Sequence, residues 1–108
     1  DLLVIPGGVK ALEKLRLEPK AVEFAKNWVN AGKITFVVCN GTQLLITADV
    51  LKGRTCSGYY SIEADIKNAG AEYHRGPVCV DGNIISCPHY DFMGEWLSTG
   101  FKLYNESN

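Results

Sequence analysis

The chain has 108 residues, 46% hydrophobic and 21% charged, with a formal net charge of -1. That length allows one globular domain and leaves no room for a second of ordinary size. The near-neutral balance excludes the electrostatic footprint of a nucleic-acid or anionic-membrane binder, and no apolar run approaches the ~20 residues of a spanning helix.

Leu2 to Ile5 reads as a buried strand, so the chain begins inside an apolar element and without methionine, as expected of a fragment or a processed product. The strand runs into Pro6-Gly7-Gly8. The N–H groups of Gly7 and Gly8 could serve an oxyanion, or the three residues could form a plain strand-to-helix turn. Val9 to Leu17 is expected to be a short helix with Glu13 on its polar side. Glu18-Pro19 opens a second helix, since proline suits a first helical turn. Ala21, Val22, Phe24, Ala25, Trp28 and Val29 recur at helical spacing and form its apolar face, and Gly32 closes it.

Ile34 to Val38 is a β-branched apolar run and reads as a second buried strand. Cys39 follows at once. Asn40-Gly41 makes a tight turn, and Thr42 is placed to cap a helix. A cysteine between a buried strand and a helix sits in a strand–elbow–helix, where the helix dipole favours thiolate over thiol. The competing reading is a small buried hydrophobe.

Thr55 to Gly58 is expected to be a short strand with Tyr59-Tyr60-Ser61 at its carboxyl end. Ile62 to Asn68 is a helix closed by Gly70. Ala71 to His74 and Val78 to Val80 are small strands. Asp81-Gly82 is a hairpin turn and Asn83 to Cys87 the return strand. A loop through His89 and Tyr90 leads to a last helix, Asp91 to Tyr104, with Phe92, Trp96, Leu97 and Phe101 inward and a frayed tail after it. This order describes an α/β layered domain with a mostly parallel sheet. Ligands in such folds bind at the carboxyl ends of strands, where Gly7-Gly8, Cys39, Tyr59-Tyr60 and Cys87 to Tyr90 converge. The four cysteines lack C-x-x-C spacing and fit reduced thiols of a cytoplasmic protein. Cys39, Cys87 and His89 would need a fourth ligand to hold a metal, and the sequence offers none.

The blocks L-V-I-P-G-G, A-V-E-F-A-K-N-W, V-C-N-G-T-Q-L-L-I-T-A-D-V-L-K-G-R, N-A-G-A-E-Y and V-D-G-N-I-I-S resemble, in order, the ThiJ/PfpI family of the class I glutamine amidotransferase-like superfamily. This family includes intracellular cysteine peptidases, protein deglycases and glyoxalases. The resemblance implies a flavodoxin-like three-layer sandwich lacking its N-terminal strand–helix unit or units, so that residues 1–108 are a partial domain. It implies a reactive cysteine at Cys39, an oxyanion site at Gly7-Gly8 and the N–H after Cys39, and a pocket-edge tyrosine at Tyr59. It places His89 in a loop beside the pocket. In the peptidases a histidine follows the cysteine and a glutamate from a neighbouring subunit completes the triad. Here the histidine position is Asn40, which cannot act as a base near neutral pH, and the glutamate falls near Glu13. No cofactor is implied, and family members associate as dimers or hexamers.

Two kinds of function follow. One is an enzyme whose Cys39 attacks a small reactive carbonyl compound, as a deglycase or glyoxalase does, or the acyl group of a peptide. The other is a non-catalytic stress or chaperone-like protein whose Cys39 is a redox sensor. A third reading is an inactive fragment with an exposed sheet edge.

Overall fold

The computed structural model of the chain describes residues 1–107. In chain order the elements are β1 (Leu3–Ile5), α1 (Val9–Arg16), α2 (Pro19–Asn30), β2 (Thr35–Val38), α3 (Thr42–Thr47), β3 (Thr55–Cys56), α4 (Glu63–Asn68), β4 (Glu72–Tyr73), β5 (Cys79–Asp81), β6 (Ile84–Cys87) and α5 (Met93–Ser107). Three single-turn 3-10 helices, Cys39–Gly41, Tyr60–Ile62 and Tyr90–Phe92, precede α3, α4 and α5.

Alternation along β2 and β6 decides the layering. Both strands are buried along their whole length, as strands covered on two faces must be. Val37 and Ile84 point to one side, where Leu12 of α1, Ala25 and Val29 of α2, Leu45 of α3 and Ile66 of α4 meet them. Phe36, Val38, Ile85 and Cys87 point to the other, under Trp96 of α5. The result is a three-layer α/β sandwich of the flavodoxin-like class. Its four-stranded sheet runs β1-β2-β6-β5, with the first three strands parallel and β5 antiparallel. β3 and β4 form a separate parallel pair. Arg54 ties it to the β5–β6 hairpin, donating to the Asp81 carbonyl at 2.7 Å and to Asn83 Oδ1 at 3.0 Å.

Several expectations shift. The hairpin pairs Asp81 with Ile84, so its turn residues are Gly82 and Asn83, with Gly82 left-handed at φ 59°. The Thr55 strand stops at Cys56, because the Ser57 N–H turns to the Ser86 hydroxyl at 2.8 Å. The last helix does not fray after Tyr104 but runs on through Ser107; Asn108 lies outside the described residues. Phe24 and Phe101, expected inside, are 56% and 46% exposed. Phe24 lies at the open edge beside β1 and stacks on Trp28 at 5.9 Å between ring centroids. Phe101 is displaced because Gly100 occupies the spot against Phe36; a side chain at Gly100 would overlap the Phe36 ring.

Two core thiols make stability depend on alkaline pH. Burial pushes Cys56 up to about 12 and Cys87 up to about 11, from an ordinary 9.0. Both stay protonated in the folded chain after the unfolded chain has lost those protons. Their contribution is therefore complete below about pH 9 and is lost as pH climbs toward 11–12. The urea midpoint is expected to fall steadily above about pH 9, and Cys56→Ala to flatten that fall. A midpoint that rises with pH in this window would contradict the account.

Candidate active site

Cys39 comes directly after β2 with a left-handed backbone, φ 59°. For a residue with a side chain that conformation costs on the order of 1–3 kcal/mol, and it persists only where surrounding structure enforces it. The kink turns the sulfur off the strand row. Cys39 is half-buried, whereas Cys56, Cys79 and Cys87 are buried. The 3-10 turn then feeds α3, giving the strand–turn–helix geometry of a nucleophile elbow.

Gly41 is required for a different reason from the one expected. Its own φ is an ordinary −57°. A Cβ there would stand 2.7 Å from the Ile5 carbonyl oxygen and 2.9 Å from that of Pro6. The elbow is thus pressed against the end of β1. Nor does Thr42 cap α3, since no side chain does so. Its hydroxyl donates instead to the buried Ser57 carbonyl at 2.8 Å. The Tyr59 N–H donates to the Cys39 carbonyl at 2.9 Å. These two bonds draw the chain after β3 under the elbow and deliver Tyr59 to its rim.

The Gly7 and Gly8 N–H groups, expected to face an oxyanion, each have a partner within the chain. Gly7 N–H donates to the Tyr90 hydroxyl and Gly8 N–H to Asn40 Oδ1, each at 2.9 Å. Any oxyanion would have to displace both partners. Asn40 therefore braces the Pro6-Gly7-Gly8 loop against the elbow, and its Nδ2 also donates to Gln43 Oε1 at 3.4 Å.

Cys39, Gly8, Asn40, Tyr59 and His89 line one cavity of about 560 Å3. Gln43, Ser61 and Ile62 line it too, and the sequence reading does not single them out. Gln43 reaches it from the first turn of α3, directly after the elbow. Ser61 and Ile62 arrive only through the folding of β3 beneath the elbow. No lining residue is Asp, Glu, Lys or Arg. The rim is aromatic: Tyr59 lies 5.5 Å from Tyr60 and 6.1 Å from His89, and His89 lies 6.4 Å from Tyr90, between ring centroids.

His89 is held at one nitrogen. Its Nδ1 accepts from Asp91 N–H at 3.1 Å and stands 3.3 Å from Asp91 Oδ2. With Nδ1 engaged by Asp91, Nε2 is the ring nitrogen left to meet a bound group. Glu13 is exposed on α1 and does not line the cavity. Within one chain it is not brought to Cys39, so any role there would be exercised on a second copy. Among the described residues no group of three His, Cys, Asp or Glu side chains is gathered to hold a metal ion. No helix among them is long and apolar enough to cross a membrane.

The sequence and the architecture both have counterparts among known proteins. The chain is 44% identical over 103 residues to deglycase PfpI of Pyrococcus furiosus, covering 95% of this chain and 61% of that protein. It is 44% identical over 81 residues to protein/nucleic acid deglycase 2 of Escherichia coli, covering 75% of this chain and 46% of that protein. It superposes with a TM-score of 0.93 and 34% identity on a solved two-domain protein of Anabaena variabilis containing DJ-1/ThiJ/PfpI-like and ferritin-like domains. That match covers 97% of this chain and 30% of the larger one. The chain thus spans about three fifths of the Pyrococcus furiosus protein's length. The model of the DJ-1/PfpI family matches residues 1–100, and on that match together with the sequence identity the chain belongs to the DJ-1/PfpI family.

Proposed function

We propose that this chain carries the nucleophile and pocket of a deglycase-type enzyme that acts on α-oxoaldehydes and their adducts with amines. The observation that supports this reading is the left-handed Cys39 at the mouth of a neutral, aromatic-rimmed cavity. A small, uncharged, carbonyl-bearing group suits such a cavity, because no fixed charge demands a counter-ion.

The Cys39 sulfur adds to the aldehyde carbon. The carbonyl electrons move to oxygen, which the His89 Nε2–H steadies by a hydrogen bond and which takes the proton given up by the Cys39 thiol, and a hemithioacetal forms. On an amine adduct the same carbon forms its bond to sulfur as the C–N bond breaks, and the proton released by the Cys39 thiol goes to the nitrogen, so that the free amine leaves. His89 supplies the donor that Gly7 and Gly8 have committed elsewhere. Peptide hydrolysis fits less well. It needs a base to draw the thiol proton and recharge the leaving amine, and Asn40 is a brace with no basic nitrogen.

The test is to incubate the chain with N-acetyl-lysine modified by methylglyoxal and follow recovery of the free amine. Time-dependent recovery, lost in His89→Ala and retained in part in His89→Gln, supports the assignment. No recovery while Cys39 still reacts with iodoacetamide overturns it.

A further inference from the structure

Carbonyl chemistry at Cys39 gives Cys87 no task, yet the fold sets the two side by side. Cys87 is the last residue of β6 and pairs in parallel register with Val38, the residue before Cys39. A strand spacing of ~4.8 Å and a rise of ~3.3 Å per residue put the two Cα atoms about 6 Å apart, within the ~4.4–6.8 Å that a disulfide spans. Both side chains belong to the same side of the sheet, where Cys39 packs against the cluster that contains Cys87. Cys87 itself is fully buried, and its Sγ donates to the His89 carbonyl at 3.5 Å.

We propose that Cys87 is the resolving thiol for Cys39, so that oxidation by a peroxide closes a reversible disulfide between the end of β6 and the elbow. The Cys39 thiolate attacks one oxygen of hydrogen peroxide. The O–O bond breaks, Cys39 becomes a sulfenic acid, and the departing hydroxide takes a proton to form water. The Cys87 sulfur then attacks the sulfenic sulfur. The S–O bond breaks, the hydroxyl leaves as water with the Cys87 proton, and the S–S bond forms. Two electrons pass from the thiols to the peroxide, and no further reactant is needed.

The contrast between the two thiols sets the order of events. Cys39 reaches the cavity. Cys87 is kept protonated, chiefly by burial and in smaller part by the neighbouring Cys39. A thiol of that kind is inert to peroxide in bulk water and reacts only with an electrophile formed beside it. Cys56 and Cys79 are buried as well, and neither belongs to the cluster against which Cys39 packs. The disulfide halts Cys39 before the irreversible sulfinic acid. It also links the elbow to the loop that carries His89. This proposal stands whether or not the chain acts on carbonyls.

The experiment is peroxide treatment of the chain, alkylation without reduction, tryptic digestion and mass spectrometry. Cys39 falls in the tryptic peptide spanning residues 34–52, and Cys79 and Cys87 share the one spanning 76–102. A cross-link of these peptides, short by two hydrogens and released by dithiothreitol, is expected. It should survive in Cys79→Ala and disappear in Cys87→Ala, where Cys39 instead gains two oxygens. Wild-type Cys39 passing to sulfinic acid while Cys87 remains alkylatable overturns the proposal, as does a link located at Cys79. Should Cys87→Ala fail to fold, fragmentation of the wild-type cross-link assigns the partner without it.

Discussion

Cys39→Gly is expected to abolish recovery of amine from a methylglyoxal adduct while raising stability by about 1 kcal/mol. The two effects share one cause. Cys39 holds φ 59°, a conformation that carries on the order of 1–3 kcal/mol of strain for a residue with a Cβ and none for glycine. Part of that relief, roughly 0.5–1 kcal/mol, is offset by the greater freedom of glycine in the unfolded chain. Loss of the half-buried side chain, which packs against the cluster containing Cys87, offsets a further part. Cys39→Ser keeps the strain, places a weakly acidic hydroxyl where no base stands beside it, and should lose turnover without gaining stability. The measurements are a urea titration and the amine-release assay on both variants. Equal stability in the glycine and serine variants would mean that the left-handed turn is not held against strain. Surviving turnover in either would remove Cys39 from the chemistry.

The second large effect lies between β2 and α5. Phe36→Ala should cost about 3–5 kcal/mol, a major share of the ~5–15 kcal/mol that holds a domain together. Phe36 is fully buried on β2, next but two to the elbow. Its ring meets Trp96 edge-on at 5.5 Å and Phe101 at 5.4 Å, and Gly100 of α5 is flush against it. Trp96 is fixed in turn by its indole N–H, which donates to the Ile85 carbonyl at 3.0 Å. With those neighbours pinned, the space left by the ring cannot close, and the cavity penalty adds to the lost transfer energy. Denaturant unfolding monitored by tryptophan fluorescence reads the change. A loss below about 1 kcal/mol would show that α5 slides in to fill the void.

The open rim of the sheet is part of the same picture. β1 is an edge strand, and Val4 of β1 and the nearby Phe24 of α2 remain 44% and 56% exposed. Helical periodicity marked Phe24 as inward-facing. Periodicity reports which residues share a face, and it does not report whether anything covers that face.

Local chemistry in the sequence determined most of the elements and the strand–turn–helix junction at Cys39. The apolar run Ile34 to Val38 read as a buried strand and Asn83 to Cys87 as the return strand of a hairpin, and β2 and β6 form there, each buried along its whole length. Proline at Pro19 and glycine at Gly32 marked the ends of α2, because φ preferences act within single residues. The junction at Cys39 followed from a strand meeting a glycine turn. Tertiary structure alone decided how the groups at that junction are spent. Gly41 is needed because β1, some thirty-five residues earlier in the chain, comes within contact of its Cα. Thr42 leaves its helix end for Ser57, and Gly7 and Gly8 give their N–H groups to Tyr90 and Asn40. The register that sets Cys87 against Val38 likewise depends on a pairing across the sheet. Each of these is a choice between partners distant in sequence. A hydrogen-bonding group or a methyl-sized gap is satisfied by whatever the fold brings to it, and residue type limits that choice without making it.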